Sequence, residues 1–181
     1  MKNRLKLMLF CVSSVLFIGC DQVTKHIAKE QLMFHAPITY LHNTVILEYA
    51  ENTGAALSLG DSMSKTASFW LLSIVPLLCL IALFVYVIIR IDGFGRLKMF
   101  SLSLILAGGL GNIIDRIFYD RHVTDFMNVG IGNTLRTGIF NVADMCVTAG
   151  VIGLLIISFT EKKHEASPSA DNTHPEKRSV E

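Results

Sequence analysis

Four long apolar runs decide what this chain can fold into. A bilayer core about 30 Å thick needs roughly 20 apolar residues per helical crossing. Leu7 to Cys20, Ala67 to Ile89, Met99 to Ile114 and Thr137 to Thr160 approach that length, the first and third by borrowing flanking residues. With 51% of its 181 residues hydrophobic, the chain is too apolar for an ordinary soluble domain. It reads as an integral membrane protein with a single domain over 1–160 and spans at about 5–25, 67–90, 98–116 and 140–160. Residues 161–181 mix charges with Ser, Pro and Asn and have no apolar period, so they read as a disordered cytoplasmic tail.

Net charge is only +1, which implies neither a nucleic-acid surface nor an acidic partner. The placement of Lys and Arg says more. Lys2, Arg4 and Lys6 precede the first span, Arg90, Arg96 and Lys98 separate the second and third, and Lys162, Lys163, Lys177 and Arg178 follow the fourth. The other six basic residues are spread over the two longer connections. By the positive-inside rule both termini are cytoplasmic and the long connections lie outside. The four cysteines lie in or beside apolar runs without CxxC spacing and read as packing residues; the six histidines form no metal signature, so no metal or other cofactor is expected.

Within this frame the ionisable residues stand out. Asp144, in Phe140-Asn141-Val142-Ala143-Asp144, lies where lipid should begin, and Asp125 lies just upstream in the same connection. A charge at a helix centre costs about 2.5–3.5 kcal/mol on insertion scales, so acids at the membrane edge point to function. Local sequence also allows a plainer role: Asn141 as an N-cap with Asp144 three residues on, stabilising exposed backbone N–H groups. In the third span Gly108, Asn112 and Arg116 share one helix face, with Gly109 and Gly111 beside it. That face is either a small-residue packing seam with Arg116 snorkelling outward, or a groove with a guanidinium able to hold a carboxylate or lipid head group.

Elsewhere the readings are more local. Phe17-Ile18-Gly19-Cys20 has the look of a lipoprotein signal with Cys20 as its lipid site, but a polytopic chain needs an uncleaved first helix. That helix should continue through Asp21 and Lys25, which are one turn apart and able to pair. Thr44 to Tyr49 suits a strand, and Asn52-Thr53-Gly54 a turn, unless Asn52 presents its amide to a substrate backbone. Pro76 should kink the second span. A small transporter or channel is the rival class, yet the spans are apolar at mid-depth and the acids gather at one end.

Five segments in order then carry a resemblance: Asp21-Gln22-Val23-Thr24-Lys25, Asn52 to Ser58, Gly108 to Arg116, Val123-Thr124-Asp125-Phe126 and Phe140 to Asp144. Nearly all of the chain before the tail resembles the bacterial lipoprotein signal peptidases, the signal peptidase II family. The resemblance implies a four-helix membrane core with a small extracytoplasmic β-sheet on the membrane surface, in agreement with strands over Thr44 to Tyr49 and Asp125 to Val129. It implies an aspartic endopeptidase of the bacterial inner membrane that cleaves prolipoproteins before a diacylglyceryl-modified cysteine, acting as a monomer beside membrane lipid. By position, Asp125 and Asp144 would form the catalytic pair. Asp21, Lys25, Asn52, Gly54, Gly108, Asn112, Arg116 and Asn141 would shape the site or bind substrate. Leu57 replaces the family's usual Phe, and Met145 its usual Ser after the second acid.

Overall fold

The computed structural model describes residues 2–54, 64–132 and 135–165. The Ala55 to Ser58 part of the second motif, with Leu57, and the tail beyond Glu165 lie outside the described residues. Among the described residues four helices are long and apolar enough to cross a membrane. We label them α1 (Lys2–Leu32), α2 (Lys65–Gly93), α3 (Arg96–Phe118) and α4 (Val142–Glu165). The first runs without interruption through Cys20 and on to Leu32, beyond the span read from hydropathy, and α4 runs past Thr160. Polar side chains at both ends of these helices hide their true lengths from an apolar count.

Pro76 perturbs α2 as its chemistry requires. Lacking an N–H and crowding the carbonyl one turn earlier, it is preceded by a π-helical turn at Trp70–Ile74 that widens the helix there. Much of α2 carries exposed apolar side chains, including Leu78, Ile81 and Val85, as a lipid-facing helix should. By contrast, 56% of the apolar window of α3 is buried, against 17% in each of the other three, so α3 is the central post. Phe10 of α1, Leu80 and Val87 of α2, and Met99, Leu102, Leu106 and Ile113 of α3 make the main core. Glycines set the α3–α4 approach: a Cβ on Gly108 would press on the Ala143 carbonyl and lie 2.8 Å from Val147 Cγ2.

At one end of the bundle the chain adds an antiparallel sheet in the order β1 (Ile38–Tyr40), β2 (Val45–Asn52), β3 (Val123–Ile131), β4 (Leu135–Arg136). The two central strands match the sequence expectation; β1 and β4 are too short to announce themselves. Phe126 of β3 packs with Ala28 and Leu32 of α1, and Leu47, Tyr49 and Val142 close around them, which fixes the sheet to the helices. One irregularity matters for the site. The β2–β3 register runs Leu47↔Met127 and then Ala50↔Asp125, so β2 carries an extra residue between them. Because strand side chains alternate with period two, that bulge flips the face of everything beyond it. It brings Asn52 onto the face of Asp125; an unbroken register would send the two to opposite faces.

Candidate active site

Asp125 and Asp144 reach the same place by different routes. Asp125 projects from β3 and is 3% exposed. Asp144 sits in the first turn of α4. Both line a cavity of about 810 Å³ whose wall also includes Asn52, Asn112, Arg116 and Phe140, and which continues along α4 past Met145, Thr148 and Ile152. It is polar at the acids and apolar along the helix.

Three asparagine amides arrange the acids. Asn52 Nδ2 donates to Asp125 Oδ2 at 3.0 Å and Asn141 Nδ2 to Asp125 Oδ1 at 2.6 Å. Asn112 Nδ2 donates to Asp144 Oδ1 at 2.8 Å, and the Asn141 backbone N–H to Asp144 Oδ2 at 3.1 Å. Every carboxyl oxygen therefore has a donor, and each keeps a further lone pair for water or substrate. The capping expectation holds as well: Asn141 Oδ1 accepts from the Asp144 N–H at 3.0 Å, which completes a reciprocal capping box. Capping engages Asp144 Oδ2 alone, so the same residue caps the helix and presents its other oxygen to Asn112.

Burial pushes the Asp125 carboxyl up to about 6 from 3.8; the Asn52 amide pulls it down, the charge of Asp144 raises it, and Asn141 and Lys25 lower it. A carboxyl in that range exchanges its proton near neutral pH. Arg116 lines the cavity and is anchored by backbone carbonyls. Its guanidinium donates to the Gly54 carbonyl at 2.8 Å and, more weakly, to the Asn112 carbonyl at 3.5 Å. Among the described residues it makes no ion pair with either acid. It ties the end of β2 to α3, while its buried Nε has no hydrogen-bond partner among the described residues. Gly54 is thus held by Arg116 and by Asn52, whose Oδ1 accepts its N–H at 3.0 Å.

Behind the acids lies a buried ionic cluster. Asp21 and Lys25 do pair, at 2.8 Å, but inside the protein at 0% and 4% exposure. Asp115, which the sequence reading passed over, completes the cluster at 2.9 Å from Lys25. It also accepts from Gln22 Nε2 at 2.9 Å and from the Thr124 N–H at 3.2 Å. The available signal was an ionisable residue three places after Asn112 in an apolar helix. Asp21 Oδ1 accepts the Ala143 N–H at 2.8 Å, so the cluster also holds the start of α4. Gly111 makes room for it, since a Cβ there would lie 2.6 Å from Asp21 Oδ2.

A four-span core, a small sheet at one end and two amide-bound acids at the head of an apolar cavity define a multi-pass membrane protein with a candidate active site. Comparison with known proteins says which. A family model described as signal peptidase (SPase) II matches residues 13–160. The lipoprotein signal peptidase of Francisella tularensis subsp. novicida is 37% identical over 157 residues, covering 85% of this chain and 94% of that one. The lipoprotein signal peptidase of Anoxybacillus flavithermus is 32% identical over 169 residues, 92% and 96% of the two chains. A bacterial membrane enzyme solved by the in meso method superposes with a TM-score of 0.73 at 29% identity, covering 91% of this chain and 94% of that one. The chain belongs to the signal peptidase II family.

Proposed function

We propose that this protein removes signal peptides from prolipoproteins by aspartic catalysis, with Asp125 and Asp144 as the pair that activates water. The observation that carries the reading is the convergence of two acids from separate elements on one cavity, with amide donors on all four carboxyl oxygens. Two adjacent carboxyls that share a proton divide the work of hydrolysis. The ionised one takes a proton from water as the water attacks the scissile carbonyl. The protonated one polarises that carbonyl and then helps protonate the leaving amine. Asn52, Asn112 and Asn141 hold both carboxyls in place throughout, so little reorganisation is needed during the reaction.

The substrate follows from the cavity. Its apolar length along α4, past Val147, Thr148 and Ile152, suits the acyl chains of a diacylglyceryl cysteine and leaves the peptide bond beside the acids. The lipid is then the specificity handle, and the bond cut is the one before the modified cysteine. The basic clusters at the opposite end of the bundle orient both termini to the cytoplasm and the acids to the outer face of a bacterial inner membrane. The test presents wild-type protein with a diacylglyceryl-modified prolipoprotein and its unlipidated form, and reads product masses. Cleavage of the lipidated form alone, leaving the modified cysteine as the new N-terminus, supports the reading. Equal cleavage of both forms removes the lipid handle, and cleavage of neither removes the assignment of substrate.

A further inference from the structure

The buried ionic cluster touches neither proposed catalytic acid, yet it is joined to both through amides. A lysine ammonium has three donors and no acceptor. Here it has three acceptors: Asp21 Oδ2 at 2.8 Å, Asp115 Oδ2 at 2.9 Å and Asn112 Oδ1 at 3.0 Å. With Lys25 at 4% exposure, water does not stand in for any of them. An asparagine amide is different, because it offers a donor at one end and an acceptor at the other, and either end can face a given neighbour. What decides is the surrounding network.

We propose that Lys25, gripped between Asp21 and Asp115, is a positioning residue that sets the polarity of the amide chain facing the two acids. The inference rests on the aspartic reading above. Since Lys25 can only donate, Asn112 must turn its Oδ1 toward it and its Nδ2 toward Asp144 Oδ1, 2.8 Å away. The same Oδ1 accepts from Asn141 Nδ2 at 3.1 Å, and that group also reaches Asp125 Oδ1 at 2.6 Å. Turned over, Asn112 would place a carbonyl against a carboxylate and an NH2 against both the ammonium and the Asn141 NH2. All three contacts would be repulsive. One buried side chain therefore directs amide N–H groups at both acids, and the two carboxylates that grip it hold it in place. This gives Asp115 a role: it anchors the group that orients Asn112.

Replacing Lys25 alone would leave two buried carboxylates facing each other, so the test uses Lys25→Met/Asp115→Asn. That pair removes one charge of each sign and leaves the net charge of the cluster unchanged. With diacylglyceryl-modified prolipoprotein as substrate, kcat should fall about tenfold to a hundredfold, the scale of one hydrogen bond to a charged group. KM should stay within about twofold, because the lost interaction is to the acids and not to the substrate. Wild-type kcat in the folded double variant would overturn the proposal. The wild-type protein supplies a measurement that needs no variant to fold. In selectively 15N-asparagine-labelled protein the Asn112 side-chain NH2 resonance should move as pH is carried through about 6, where Asp125, linked to Asn112 through Asn141, exchanges its proton, and a resonance indifferent to that change would equally overturn it. Full cleavage by Asp144→Asn would instead sink the aspartic reading, which separates the two failures.

Discussion

Replacing Asp125 with Asn should change how stability depends on pH, and the size of the effect follows from the site. The folded carboxyl titrates at about 6 against an unfolded value of 3.8, chiefly because it is buried. A raised carboxyl binds its proton more tightly in the folded state. Its contribution to stability is therefore fullest below 3.8 and is lost as pH rises through about 6. At about 1.4 kcal/mol per unit, the loss above that range is about 3 kcal/mol. The amide introduced by Asp125→Asn would not ionise and would escape the loss. It would also turn an NH2 toward Asn52 or Asn141, costing about 1–3 kcal/mol at every pH. The constant cost cancels when the two proteins are compared across pH. Between about pH 3 and about pH 7 the wild type should lose about 3 kcal/mol relative to Asp125→Asn, or about 6–12 °C in midpoint at 2–4 °C per kcal/mol. Thermal unfolding followed by circular dichroism in one detergent reads this directly. Parallel midpoints across the range would refute the reasoning.

Other expectations follow from neighbouring contacts. Gly108→Ala should push α4 off α3 and move Asp144, lowering cleavage about a hundredfold. Gly109→Ala, whose Cβ would come nearest the Leu80 side chain at 2.7 Å, should lower cleavage far less, because the contact is to a side chain of α2 and not to the backbone that carries Asp144. Asn52→Leu removes the donor that most lowers the Asp125 carboxyl, so the acid limb of the pH–rate profile should move to higher pH. A limb that stays put would show that Asn52 does not tune the acid. Asp21→Leu strips Lys25 of a partner and the Ala143 N–H of its acceptor, and should cost about 3–5 kcal/mol in denaturation measured on the purified protein.

The spans were legible because lipid selects composition directly, and Pro76 announced its distortion through missing backbone chemistry. The two central strands were legible from branched and aromatic residues. What sequence did not reveal is the half-step that shapes the candidate site: the bulge between Leu47 and Ala50 that turns Asn52 to the face of Asp125. Nothing local marks that extra residue, because it is set by pairing with a strand far along the chain. The anchoring of Arg116 was hidden for a related reason. Its partner is the Gly54 carbonyl, and a backbone acceptor carries no residue code. Asp115 lay in plain view within Gly108 to Arg116, but its meaning depends on Lys25 arriving from another helix. For Asn141 and Asp144, spacing suggested either capping or chemistry, and the geometry accommodates both because a carboxylate has two oxygens.

On the proposed reading the acids sit at a membrane edge, and the fold supplies what that position demands. Acids placed in lipid would be costly alone, but here they are supplied from a sheet and a helix start, where backbone and amide N–H groups are already directed at them. The apolar remainder of the cavity can stay in the bilayer. The decisive measurement is single-turnover cleavage of a diacylglyceryl-modified prolipoprotein by wild type, Asp125→Asn and Asp144→Asn in the same lipid, each shown to be folded. Both variants should lose about 10²–10⁴-fold in rate, the range of general acid–base catalysis. Wild-type rates in either variant would contradict the paired-acid mechanism and return that carboxylate to a structural role.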